Sequence, residues 1–231
     1  RLRARRRSPR AASRFAFSSE PHLRARTRPG RLHAFDAWLG LTESALLHTP
    51  GLLVDVGFGV SAVTTAELAA AFPSHEVLGL EQDAARVTAA SLEFPSLALL
   101  AGGLESAPRQ ALVLRIANVG RGLSRDGVAQ LHAQVLPWLV DGGVCLEGST
   151  DVDGHVSTFW VLRRVGGALQ REALVFHTDG ARGFSPWLFR DVLPRDLRRD
   201  VREGTPICSL LTDWETAWQT TRSADPLDSL R

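Results

Sequence analysis

The run Leu52-Leu53-Val54-Asp55-Val56-Gly57-Phe58-Gly59 constrains this chain more than any other segment. A short, largely apolar stretch stops at two glycines, and Thr64 to Phe72 continues with the composition of a helix. An apolar run bounded in this way reads as a strand buried on both faces, which belongs in a parallel sheet covered by helices. The pattern then repeats. Glu76 to Leu80 predicts a second strand ending at Glu81, and Asp83 can cap a helix to about Leu92. Leu97 to Leu100 and Ala111 to Ala117 predict a third and a fourth strand. Asp126 to Val140 reads as a helix with Val128, Leu131, Val135 and Leu139 on one face, and Gly142-Gly143 leads into a fifth strand, Val144 to Glu147. Two alternating stretches, about 156–164 and 169–177, meet across Gly166-Gly167 as in an antiparallel hairpin. An amphipathic helix over roughly 31–47 precedes the first strand, and Trp187 to Val192 and Leu210 to Trp218 suggest two final helices. The expected fold is therefore α/β, a mostly parallel seven-stranded sheet with a C-terminal antiparallel hairpin and helices on both faces.

Glycines after a buried strand let the backbone turn tightly and approach a ligand closely, while the next helix presents N–H groups to it. Gly57-Phe58-Gly59-Val60-Ser61-Ala62 satisfies a loose Gly-x-Gly-x-x-Ala dinucleotide pattern, with an acid downstream for a ribose. Asp55 separates the cofactor classes. A carboxylate two residues before the first glycine is expected at the strand's end, facing the cradle, where a dinucleotide would put its pyrophosphate. Like charges repel there. A phosphate-free ligand bearing an ammonium and a sulfonium is instead attracted, by several kcal/mol before screening at an effective dielectric of about 20.

With Val54-Asp55-Val56-Gly57-Phe58-Gly59 followed by Glu81 in Gly79-Leu80-Glu81-Gln82-Asp83, the chain resembles the class I, Rossmann-like methyltransferases. Their pattern is acid-x-Gly-x-Gly-x-Gly and then an acid ending the second strand; here Ser61 replaces the third glycine. The resemblance implies S-adenosyl-L-methionine as cofactor, bound through Asp55, Gly57, Phe58, Gly59, Ser61, Glu81, Gln82 and Asn118. In the family the first acid lies near the methionine moiety and the second bonds both ribose hydroxyls, which makes these Asp55 and Glu81. Ala101-Gly102-Gly103-Leu104-Glu105 offers no clean equivalent of the family's adenine contact. Val63 to Ala69, Ala117-Asn118-Val119 and Leu146-Glu147-Gly148 are also similar to methyltransferase-like proteins of actinobacteria, over roughly residues 28–220.

Methyl transfer is an in-line displacement at carbon, so holding the nucleophile against the methyl group supplies most of the catalysis, with a base needed only for a protonated acceptor. Acceptors bind beyond the carboxyl ends of the central strands. Asn118 after the fourth strand and Glu147 ending the fifth are therefore the candidate catalytic residues. Asn118 is the chain's only Asn, with Arg115 and Arg121 three residues away on either side. Its amide can orient an acceptor or bond the cofactor's amino-acid end, and Glu147 can take an acceptor's proton. The acceptor itself is not specified by the sequence.

Charge is unevenly placed. Residues 1–31 hold 11 Arg and one acid, Glu20, whereas the rest carries 16 Arg against 24 acids. Residues 1–30 are read as a basic tail and 31–231 as one methyltransferase-like domain. Such a tail can hold nucleic acid by neutralising phosphates, or be a solvated extension. Every cation among Lys and Arg is Arg, which fits a GC-rich bacterial genome. Cys145 and Cys208 are far apart, the His residues show no ligand spacing, and no apolar run reaches the ~20 residues of a membrane helix. No metal, no membrane association and a cytoplasmic location are expected. Two further readings stay open: an NAD(P)-dependent oxidoreductase, and a catalytically inactive methyltransferase-like module that binds RNA through the tail.

Overall fold

The computed structural model describes residues 27–223. Its elements run α1 (His33–Thr42), β1 (Leu52–Val56), α2 (Val63–Ala71), β2 (Glu76–Glu81), α3 (Ala84–Glu93), β3 (Ala98–Ala101), β4 (Ala111–Ala117), α4 (Arg125–Val135), β5 (Leu139–Thr150), β6 (Val156–Val165), β7 (Ala168–Thr178), α5 (Arg195–Arg198) and α6 (Pro206–Ser223). One open seven-stranded sheet has the order β3-β2-β1-β4-β5-β6-β7. Strands β1 to β5 pair in parallel, and β6 runs antiparallel to both β5 and β7. This is the Rossmann-like α/β architecture expected from the alternating pattern. The chain leaves β1 toward β2 and β3, then returns to place β4 on the other side of β1, so the β1/β4 boundary is the topological switch point.

Alternation along the central strands divides the core in two. Leu52 and Val54 of β1, with Leu114 and Ile116 of β4, face α4 through Val128, Leu131 and Val135. Leu53 and Val113 face the opposite way, with Leu68 of α2 and Phe35 and Leu39 of α1. Phe58 of the glycine turn packs under α3 against Val87 and Ala90.

Several boundaries move for identifiable reasons. The first helix ends at Thr42 rather than near residue 47, where Glu43 is held by the Arg163 guanidinium of β6 at 2.6 Å. Pro137, which has no N–H and a fixed φ, ends α4 at Val135 and turns the chain through a 3-10 segment, Leu136–Trp138. The fifth strand consequently starts at Leu139, and its register jumps from Ala111↔Leu139 to Val113↔Val144 around Gly142, whose φ is +79°. The hairpin turns on Gly166 and Gly167 at φ 55° and 82°, the left-handed pair a two-residue loop requires. Residues Pro186–Val192 form a 3-10 segment, not an α-helix, and the Phe189 ring stacks on Trp214 of α6 at 5.6 Å.

Asp83 caps α3 as expected, its carboxylate accepting from the N–H groups of Ala85 and Arg86. Replacing Asp83 by Ala should lower stability by about 1 kcal/mol, measured by urea unfolding. An unchanged midpoint would mean solvent satisfies those two donors equally well.

Candidate functional site

At the carboxyl ends of β1 and β4 the chain forms an open-sided cavity of ≈ 50 Å³. Asp55, Gly57, Phe58, Gly59 and Asn118 line it, so five of the expected site residues come together at the switch point. Gly57 and Gly59 have φ of 76° and 82°, and a Cβ on Gly57 would stand 2.7 Å from Val119 of the turn after β4. Only glycine allows the two loops this separation.

The charge on the cavity floor is arranged differently from the expectation of a solitary acid. Asp55 on β1 and Arg115 on β4 are register neighbours. The guanidinium grips Asp55 through Nε at 3.1 Å and Nη2 at 2.9 Å, and its Nη1 donates to Asp36 of α1 at 2.5 Å. Thr65 Oγ1 donates to Asp55 at 2.7 Å, and the Thr64 carbonyl accepts from Arg115 at 2.7 Å. Arg115 is fully buried. Burial alone would lower its pKa, but the carboxylates of Asp55 and Asp36 raise it above the ordinary arginine value. Burial pushes the Asp36 carboxyl up, against the pull of Arg115. Two carboxyl groups thus share one guanidinium, and Asp55 is not a solitary acid.

Glu81 ends β2 and is buried apart from one edge. Its Oε2 accepts from the Gly59 N–H at 2.9 Å and its Oε1 from the Asp83 N–H at 3.1 Å. The carboxylate therefore fixes the glycine turn while keeping lone pairs for a diol. Gln82 is exposed just beyond it. Ser61 points away from the cavity and donates to the Glu93 carboxylate at the end of α3, at 3.1 Å.

Asn118 has φ 64°, the one left-handed non-glycine among the described residues. Its N–H donates to the Gly148 carbonyl at 2.8 Å and its Oδ1 accepts from the Thr150 N–H at 3.2 Å, so it clips the end of β4 to β5. Glu147 does not reach the cavity. Leu146 is in register with Arg115 and Glu147 with Ile116, which puts the Glu147 side chain on the opposite, α4-covered face. There it is 1% exposed, 3.6 Å from His132 Nε2, under Gly120, where an added Cβ would meet its Oε1 at 2.7 Å.

Residues Thr27, Arg28 and Gly30, expected in the tail, are tied to the body. Thr27 Oγ1 donates to the Phe58 carbonyl at 3.0 Å, the Gly30 N–H donates to Glu67 at 2.6 Å, and Arg28 pairs with Asp153. Arg31 follows, with Nε donating to the Asp151 carbonyl at 3.0 Å, and burial lowers its pKa. Thr27 and Arg31 both line the cavity, so this segment forms part of its wall. Residues 1–26, which hold most of the basic tail, lie outside the described residues.

No motif marks the Asp36–Arg115 pairing, and its sequence signals are local. Asp36 falls on the Leu32/Phe35/Leu39 face of an amphipathic helix, and Arg115 interrupts an otherwise apolar strand. Two opposite charges at positions that must both be buried call for each other.

No family model matches the chain, and no curated protein matches its sequence. Among solved structures, the plantazolicin methyltransferase BpumL, in complex with SAH and a triazolic desmethylPZN analog, aligns with a TM-score of 0.44 and 13% identity over 52% of this chain. The alignment covers 46% of that protein, so this chain spans about half its length. DesVI of Streptomyces venezuelae aligns with a TM-score of 0.42 and 19% identity, over 65% of this chain and 76% of that one. SAM-bound CalS10, an amino pentose methyltransferase from Micromonospora echinaspora, is similar with a TM-score of 0.44 and 18% identity, over 67% of this chain and 79% of that one.

Proposed function

We propose that this chain transfers a methyl group from S-adenosyl-L-methionine to an acceptor. One observation carries the reading: the buried Asp55 carboxylate, held by Arg115, lines a glycine-bordered cavity at the switch point. That carboxylate suits a cationic, phosphate-free nucleotide and opposes a pyrophosphate. Asp55 would face the methionine end, the Gly57 to Gly59 turn would pass beneath the cofactor, and Glu81 would take the ribose hydroxyls. When bound, the cofactor supplies an activated methyl group. The residues of this chain orient the partners and exclude water, which for an in-line displacement is the main catalytic task. Glu147 supports the turn after β4 from below, and Asn118 joins the two strand ends that carry the acceptor side.

Isothermal titration with adenosylhomocysteine and, separately, with NADH tests the reading. Saturable heat with adenosylhomocysteine is expected, and heat with NADH alone would replace the proposal with the oxidoreductase alternative. A scintillation assay against RNA, protein and metabolite pools then separates an active enzyme from a module that only binds.

The cavity of ≈ 50 Å³ is far smaller than the ~300 Å³ or more that a ligand of this size occupies. Thr27 and Arg31 line this cavity, which is open on one side, and a shift of their segment would enlarge it. Thr27→Val removes the hydroxyl bond to Phe58 and should tighten adenosylhomocysteine binding by about fivefold, through a smaller opening cost. Weaker binding by the variant would mean that the hydroxyl acts in the bound state instead.

A further inference from the structure

The turn that follows β4, Val119–Gly122, carries a half-buried cation that its surroundings do not neutralise. Arg121 sits three residues beyond Asn118, on the acceptor side of the switch point. Its Nη2 donates to the Thr150 carbonyl at the end of β5, at 2.8 Å, while its Nε is buried with no hydrogen-bond partner. Among the described residues no carboxylate forms an ion pair with it. The contrast with other inward-facing arginines is informative. Arg115 is held by Asp55 and Asp36, and Arg163 by Glu43 and Glu172. Arg164 also has an unpartnered buried Nε and no ion pair among the described residues, but its Nη1 is held by two carbonyls, of Leu136 and Leu139, where α4 ends and the helix dipole is negative.

Burial is the largest influence on Arg121 and pulls its guanidinium down to about 10; Arg198 and Arg31 push the same way, against the opposite pull of Asp151 and Asp191. The nearby acids are committed elsewhere: Asp151 to Arg182 at 3.1 Å, and Asp191, which is 84% exposed, to Arg198 at 3.4 Å. Arg195 of α5 reaches the same turn, its Nε donating to the Leu123 carbonyl at 3.1 Å. A desolvated cation beside like charges is unfavourable until an anion joins it, and the planar guanidinium fork matches a carboxylate or phosphate.

We propose that Arg121, flanked by Arg198, forms an oxyanion subsite on the acceptor side, so that the methyl acceptor carries a carboxylate or phosphate group. The inference rests on the methyl-transfer reading for the word acceptor. The same oxyanion chemistry could come from the amino-acid end of the cofactor. Arg31 lines the cavity and Arg121 does not, and titration distinguishes an acceptor's oxyanion from the cofactor's.

Inorganic phosphate and, separately, acetate are titrated into the full chain in two states, saturated with adenosylhomocysteine or with 5′-methylthioadenosine, which lacks the amino-acid carboxylate. Saturable phosphate binding of similar affinity is expected in both. Arg121→Gln should weaken it by about tenfold or more, with adenosylhomocysteine affinity held within about threefold. Should Arg121→Gln not fold, Arg198→Gln should weaken phosphate by about threefold. Binding seen only in the methylthioadenosine complex would hand the guanidinium to the cofactor's carboxylate and overturn the proposal. So would the absence of saturable anion binding, or binding indifferent to the substitution. If adenosylhomocysteine itself fails to bind, the methyl-transfer reading falls, while titration of the ligand-free chain still decides whether the anion subsite exists.

Discussion

Arg115→Met should destabilise the fold by about 3–5 kcal/mol, the cost of breaking a buried ion pair from one side. The guanidinium is fully enclosed and joins α1, β1 and the start of α2 through Asp36, Asp55 and the Thr64 carbonyl. Without it two buried carboxylates face each other, and burial together with mutual repulsion raises both of their pKa values. The sign of the pH effect follows. Acids whose folded pKa lies above the unfolded value cost stability once pH passes the folded pKa, and that cost disappears below the unfolded one. The variant should therefore regain stability relative to wild type as pH falls into the acid range, measured by urea unfolding at several pH values. A pH-independent loss would attribute the effect to packing alone. Adding Asp36→Leu and Asp55→Asn to Arg115→Met should recover much of the deficit, because a neutral group of similar volume has no desolvated charge to leave unpaired.

Much of this fold was legible because it rests on periodicity. Continuous apolar strands alternating with helices demand a parallel sheet, and Gly166-Gly167 fixes the hairpin register. Pro137 stands inside the stretch expected as helix, and Leu139, which falls at helical spacing, begins β5 instead. What periodicity does not carry is the direction of a particular polar side chain. Glu147 stands near the end of a central strand, as a catalytic acid would, but a one-residue difference in register turns it under α4. Asn118 stood out by rarity; its left-handed backbone and its bond to Thr150 give it a joining role. Partnership is harder still to foresee, since Asp36 and Arg115 are 79 residues apart in sequence and meet only after the sheet has formed.

Glu81→Ala should weaken adenosylhomocysteine binding by about 1.5–3 kcal/mol, roughly 10- to 150-fold in Kd, the scale of charge-assisted hydrogen bonds. Two causes would contribute. The carboxylate holds the Gly59 and Asp83 N–H groups, so its loss loosens the turn, and it would also accept from the ribose hydroxyls. Comparing adenosylhomocysteine with its 2′-deoxy analogue by titration calorimetry in both proteins separates the two. If Glu81 bonds the ribose, the 2′-deoxy analogue binds wild type markedly less well and the difference largely vanishes in Glu81→Ala, because the hydroxyl has lost its partner. If Glu81 acts only by shaping the turn, both ligands weaken equally and the difference between them persists. That second outcome would remove the second-strand acid from the cofactor site and leave the charge on the cavity floor as the sole support for a cationic nucleotide.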